Sequence, residues 1–165
     1  DAYRSLVDRL RLARPDLVFS SDFIVGFPGE SDSDFQSTLD LVDEIGFVGA
    51  YSFKFSARPG TPAAAMPEQV PDMVKSDRLK ILQKKLNATH LAFNFATVGK
   101  KMPVLLERYG RYPGQLVGRT PYMQAVHVYT SREHLGKIVN LRIDAAHSNS
   151  LSASKIRENC GRTIA

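Results

Sequence analysis

Ser21-Asp22-Phe23-Ile24-Val25-Gly26-Phe27-Pro28-Gly29-Glu30 sets a short apolar run against an abrupt stop. Phe23, Ile24 and Val25 read as a buried strand, and Gly26, Pro28 and Gly29 as a tight turn at its carboxyl end. A helix is predicted directly after it. Ser31 and Asp34 stand at capping-box spacing, Phe35, Leu39 and Val42 recur at helical period, and Gly46 is the residue type wanted just past a helix end. In parallel α/β folds ligands lie beyond the carboxyl ends of strands, so residues 26–30 stand where a cofactor or substrate is held.

Outward from this unit the pattern repeats. Residues 1–14 read as an amphipathic helix carrying Tyr3, Leu6, Val7, Leu10 and Ala13, ended by Pro15. Residues 47–56 read as a second strand in which Tyr51, Phe53 and Phe55 alternate with Ser52, Lys54 and Ser56. Helix, strand, helix, strand argues for βαβ connectivity and a parallel sheet. Two parallel strands neither close a barrel nor cover a sheet. The expectation is therefore the end of a larger barrel, with Val18, Phe23, Val25, Tyr51 and Phe53 short of burial and the chain prone to swap elements or associate. The chain starts without an initiator methionine, as a fragment or a processed product would, and a missing N-terminal part of the same protein is an expected partner.

Residues 55–66 read as an irregular loop stiffened by Pro59 and Pro62, with Pro67 just beyond, and with Arg58 as the loop's only charge. A long helix is predicted from Pro71, with Leu79, Leu82, Leu86 and Phe93 as its apolar stripe and Lys75, Arg78, Lys80, Lys84 and Lys85 on a solvated face. Gly99 marks its end and a boundary between domains at 1–97 and 98–165.

Beyond Gly99 the chain breaks into short β-like segments at 103–108, 114–120, 125–130, 137–144 and 151–155, the pattern of a small closed barrel. The charge changes there too. Residues 1–97 hold 11 Lys+Arg against 13 Asp+Glu, whereas residues 98–165 hold 11 against 4, a local balance of +7. Arg108, Tyr109, Arg111, Tyr112, Arg119, Tyr122, Gln124 and His127 interleave cations with rings. Forked guanidinium donors suit phosphate and aromatic faces suit unpaired bases, so RNA is the partner this mixture fits.

Other classes are set aside. No apolar run reaches the roughly 18 residues of a membrane span and no signal peptide opens the chain, so a cytoplasmic protein is expected. The single Cys160 supports neither a disulfide framework nor a cysteine-built cluster, and His127, His134 and His147 lack ligand spacing, so no metal site is expected in this chain.

Two stretches also resemble a known family. Asp22-Phe-Ile-Val-Gly-Phe-Pro-Gly-Glu30 followed by Ser31-Asp-Ser-Asp-Phe35 is similar to the late-barrel segment of radical S-adenosylmethionine (SAM) methylthiotransferases, with Ser31 in place of the usual threonine. Phe55-Ser-Ala-Arg-Pro-Gly-Thr-Pro-Ala-Ala64 is similar to the family's Tyr-Ser-Pro-Arg-Pro-Gly-Thr-Pro-Ala-Ala signature, departing at Phe55 and Ala57. The segment from Gly118-Arg119-Thr120 through Gln124 to Val128, with Ile143-Asp144-Ala145 and Asn149-Ser150-Leu151, resembles the order of a TRAM domain, a small OB-like RNA-binding barrel.

The resemblance implies the C-terminal part of a parallel (β/α) radical SAM barrel followed by a TRAM barrel. Arg58-Pro-Gly-Thr-Pro-Ala-Ala64 and Gly114-Gln-Leu-Val-Gly-Arg119 point within the family to the MiaB-type branch, which places a methylthio group on N6-dimethylallyladenosine beside the tRNA anticodon. Threonylcarbamoyladenosine and a ribosomal protein are alternative substrates, and a non-catalytic RNA-binding protein is the alternative class. The family uses SAM and two 4Fe-4S clusters, one bound by Cys-x3-Cys-x2-Cys. Those cysteines are absent here, so the chain alone is expected to be inactive and to bind none of these cofactors. By the same resemblance Ile24, Gly26, Phe27, Pro28, Gly29 and Glu30 border SAM, Phe53, Ser56 and Arg58 complete that wall, and Arg58 meets a carboxylate or a phosphate. Arg108, Arg111, Arg119, Tyr122, Gln124 and His127 are the expected tRNA contacts.

Overall fold

The computed structural model describes residues 2–156. Cys160 lies outside the described residues. The chain divides into two compact units, one ending at His90 and one beginning at Leu91.

The first unit contains α1 (Ala2–Ala13), β1 (Ser20–Val25), α2 (Asp32–Ile45), β2 (Gly49–Lys54), the short α3 (Pro62–Ala65) and most of α4 (Asp72–Ala96). β1 and β2 pair in parallel, Ile24 opposite Phe53 and Asp22 opposite Tyr51. Ser31 caps α2 with a full capping box, its side chain taking the Asp34 N–H while Asp34 takes the Ser31 N–H. Gly46 closes the helix at φ 62°, a left-handed conformation that glycine adopts without a Cβ penalty.

The core of this unit is Phe23, Val25, Phe35, Leu39, Val42, Ile45, Phe47, Leu82 and Leu86, with Val7 from α1. Side chains alternate along a strand, so Phe23 and Val25 enter this core while Ile24 faces the other way. Burial of Phe23 and Val25 thus corrects the expectation for those two residues. The shortfall falls on Ile24, Tyr51 and Phe53, which are 60, 73 and 55% exposed on one side of the sheet. α1 also buries less than its stripe suggests: of that stripe Val7 alone is fully buried, and Tyr3, Leu6 and Leu10 stay exposed.

Two residues read as solvated on α4 are inside. Arg78 is 7% exposed and the Lys75 side chain 14% exposed. Ion pairing explains Arg78, because a charge tolerates burial when opposite charge and hydrogen bonds surround it. The loop at 55–66 also gains structure, since Pro62 starts α3 with Thr61 at its N-cap position.

The second unit is a closed five-stranded barrel in the order β3-β4-β5-β7-β6, formed by β3 (Lys101–Tyr109), β4 (Gln115–Arg119), β5 (Ala125–Tyr129), β6 (Ile138–Ala146) and β7 (Leu151–Lys155). β5 and β7 are parallel and the other pairs antiparallel. Closure leaves no free edge, as the spacing of short strands predicts. Met102, Val104 and Leu106 point inward from alternate positions of β3 and meet Leu116, Val126, Val128, Leu141, Ile143 and Leu151. A bulge between Leu106 and Arg108 bends β3 so that it can pair with both β4 and β6. Gly118 sits opposite Leu106, and a Cβ there would collide with the Leu105 carbonyl. Among the described residues no helix is long and apolar enough to cross a membrane.

Candidate functional site

Two surfaces carry the residues singled out above, one in each unit. In the first, β1 delivers the turn at 26–30 and a network of donors holds that turn. The Gly26 N–H donates to Glu30 Oε2 at 2.7 Å, and Arg78 Nη1 donates to the same oxygen at 2.6 Å and to the Glu30 carbonyl at 3.0 Å. Arg78 Nη2 donates to Asp32 Oδ1 at 2.6 Å, and the Gly29 N–H donates to the Glu68 carbonyl at 2.8 Å. Gly26 and Gly29 have φ of 72° and 84°, and a Cβ on Gly26 would overlap the Lys75 stem. Glycine at 26 therefore meets two demands, a left-handed backbone and a closely packed neighbour.

Burial acts to lower the Arg78 pKa, but the hydrogen bonds to Asp32 and Glu30, with their charges, outweigh it and raise the pKa. Arg78 is thus a fixed cation inside the unit, although its Nε has no hydrogen-bond partner among the described residues. Its role was missed because a lysine- and arginine-rich helix reads as a wet face; the one available signal was a pair of acids, Glu30 and Asp32, at the end of a glycine turn.

The candidate cofactor residues fall into three groups. Ile24 and Phe53 are neighbours across the strand pair and exposed on one face. Phe27 stands on the turn, exposed, with its ring edge-on to Phe55 at 5.2 Å, and Pro28 is buried. Glu30 is spent on the turn itself, its Oε2 already accepting two hydrogen bonds. Ser56 and Arg58 follow β2 in exposed chain, where the Arg58 carbonyl accepts from Thr61.

In the second unit Arg108 is exposed on β3, Arg111 lies on the exposed β3–β4 turn, and His127 is half-buried on β5. Arg119 ends β4, donating to the Met123 carbonyl at 3.1 Å and standing 3.5 Å from Glu107. Tyr122 and Gln124 are placed differently. Gln124 is buried, with Nε2 donating to Asn94 Oδ1 at 2.8 Å and Thr97 Oγ1 at 3.1 Å, while its Oε1 accepts from Thr120 at 3.2 Å. Tyr122 meets Phe93 edge-on at 5.5 Å. Both therefore pack the β4–β5 connection, and the exposed groups among those six are Arg108, Arg111 and Arg119.

Residues 96–156 match the family model for the TRAM domain. Beyond the TRAM domain the likeness extends over nearly the whole chain. It is 54% identical over 151 residues to the tRNA-2-methylthio-N(6)-dimethylallyladenosine synthase of Rickettsia canadensis (strain McKiel), covering 91% of this chain and 34% of the relative. Proteins of the same name from Maricaulis maris (strain MCS10) and Rickettsia bellii (strain OSU 85-389) are 53 and 52% identical over 93 and 95% of this chain. They are covered over 34 and 35% of their own length, so the chain spans about a third of the curated relatives it matches.

Proposed function

We propose that this chain is part of a tRNA-modifying methylthiotransferase that acts on N6-dimethylallyladenosine beside the anticodon, supplying a cofactor-side barrel wall from its first unit and a tRNA grip from its TRAM domain. The observation that carries this reading is identity above one half, across more than nine-tenths of the chain, to enzymes named for that product.

The first unit fits one of the implied cofactors and not the other. Ile24 and Phe53 together offer an exposed apolar surface on one side of the sheet, the kind of face that accepts a planar base such as the adenine of SAM. The Gly26–Glu30 turn would stand beside that base, held rigid by Arg78. The radical chemistry that bound SAM supplies needs an iron-sulfur cluster. Among the described residues no group of three or more His, Cys, Asp and Glu could hold a metal. What this chain does is bind and orient: Ile24 and Phe53 shield the cofactor side from water, and Arg58 meets an anionic group of cofactor or substrate. In the TRAM domain Arg108, Arg111 and Arg119 supply forked donors for phosphate.

The test is expression of the full gene product in cells lacking their own methylthiotransferase, with mass spectrometry of tRNA hydrolysates. Appearance of 2-methylthio-N6-dimethylallyladenosine is expected. Methylthiolation of threonylcarbamoyladenosine or of a ribosomal protein instead would overturn the substrate assignment, and unmodified tRNA and protein would favour a non-catalytic RNA-binding role.

A further inference from the structure

The β3–β4 turn closes a small concave site that the contacts above use only through Arg111. Its volume is about 250 Å³. That is below the roughly 300–1,000 Å³ that drug-sized ligands occupy, and suits one base with its attached phosphate. Tyr109 and Tyr112 supply exposed rings to its wall, and Arg111 and Arg132 supply the charge. Among the described residues no acidic side chain lines it. The Arg111 guanidinium lies 5.9 Å from the Tyr112 ring centroid and that of Arg132 lies 5.8 Å from the Tyr109 centroid. Neither guanidinium has a carboxylate partner among the described residues, so both remain available to an anion.

The turn is built rather than incidental. The Gly110 N–H donates to the Gln115 carbonyl at 2.8 Å, the Gln115 N–H to the Tyr112 carbonyl at 3.1 Å, and the Arg111 N–H to Gln115 Oε1 at 3.1 Å. Gln115 is buried, and a Cβ at Gly110 would run into its side chain. The Thr130 N–H ties the far side by donating to the Gly114 carbonyl at 3.1 Å. A turn so pinned reduces the backbone ordering cost at the moment of binding. Two exposed rings, each with a guanidinium beside it that has no carboxylate partner among the described residues, match an unpaired nucleotide, whose base has a π-face and whose phosphate is anionic.

We propose that this turn is a pocket for one unpaired nucleotide of RNA, with the base against the Tyr109 and Tyr112 rings and the phosphate met by Arg111 and Arg132. The assignment rests on the reading that the TRAM domain grips RNA, and it adds Tyr109, Tyr112 and Arg132 to that grip.

The test uses the full chain, fluorescence anisotropy, and two probes: an RNA hairpin with an unpaired loop, and a blunt RNA duplex of the same stem sequence. Tyr112→Ala is expected to weaken hairpin binding roughly 5- to 100-fold, the loss of one stacked base, with a much smaller effect on the duplex. Tyr112→Phe should retain the affinity. Arg132→Ala should weaken hairpin binding and reduce its salt slope by about 0.7 to 1, with a smaller effect on the duplex. Photocrosslinking of unmutated protein to a hairpin carrying 5-iodouridine in its loop should place the adduct on Tyr109 or Tyr112. If the Tyr109→Ala/Tyr112→Ala double variant melts like the parent and binds the hairpin equally well, or if the adduct maps to another element, the pocket is overturned while RNA binding stands. If the unmutated chain binds neither probe, both fall.

Discussion

Arg78 joins a glycine turn to a helix through three hydrogen bonds and lies over the Phe35 ring at 5.5 Å. Replacing it with methionine roughly keeps the volume but takes the cation away from the Glu30 carboxylate in a nearly closed site. Breaking a buried pair from one side costs about 3–5 kcal/mol, so Arg78→Met should lower the urea midpoint strongly. The double variant Arg78→Met/Glu30→Gln should lose less than the sum of the single changes, because the stranded charge is gone. At the start of α2, Ser31→Ala should cost about 1 kcal/mol through the lost cap. Hydrogen bonds from the Ser31 side chain and backbone hold the Asp34 carboxyl below the usual carboxylate range. A depressed pKa in the folded state contributes stability above the ordinary value, and that contribution is lost as pH falls through the folded value. The gap in urea midpoint between the parent and Ser31→Ala should therefore be full at neutral pH and shrink once Asp34 protonates.

Among the elements, β2 shows how alternation can be read correctly without revealing which face is covered. Tyr51 and Phe53 share one face as the period-two pattern requires, yet that face is the exposed one. β4 is the opposite case, with Gln115 to Gly118 all buried. There the backbone of β3 comes so close at Gly118 that no side chain fits. Gly118→Ala should therefore open the barrel, with a stability loss above about 3 kcal/mol, because the collision is with backbone that cannot repack. Differential scanning calorimetry should show the barrel transition lowered or lost while the transition of the first unit is retained.

For the whole molecule, exposed apolar surface and charge lead to separate expectations. Ile24, Tyr51 and Phe53 leave one sheet face apolar and open, and patches of that kind drive association. The chain should associate with rising concentration in light scattering, and Ile24→Ser/Phe53→Ser should return it toward monomer. The +7 balance beyond residue 97 should make RNA affinity fall with salt. For about three or four phosphate contacts the log-log slope on single-stranded RNA should be roughly −2 to −3, measured by anisotropy across a salt series.

The sequence by itself determined the elements whose signals are local. Ser31 with Asp34, Gly46 and the Phe35-Leu39-Val42 stripe define α2 because capping and periodicity act within a few residues. The five short segments after Gly99 announced a barrel because closure alone satisfies so many edges. Only the tertiary structure decided what depends on partners distant in sequence. Arg78 became a buried anchor because Glu30 and Asp32 lie 48 and 46 residues away in the chain yet within hydrogen-bond reach. Gln124 and Tyr122 became packing groups because Asn94, Thr97 and Phe93 return beside them. Residue type states what a side chain can bond to; the fold decides whether protein or ligand meets it first.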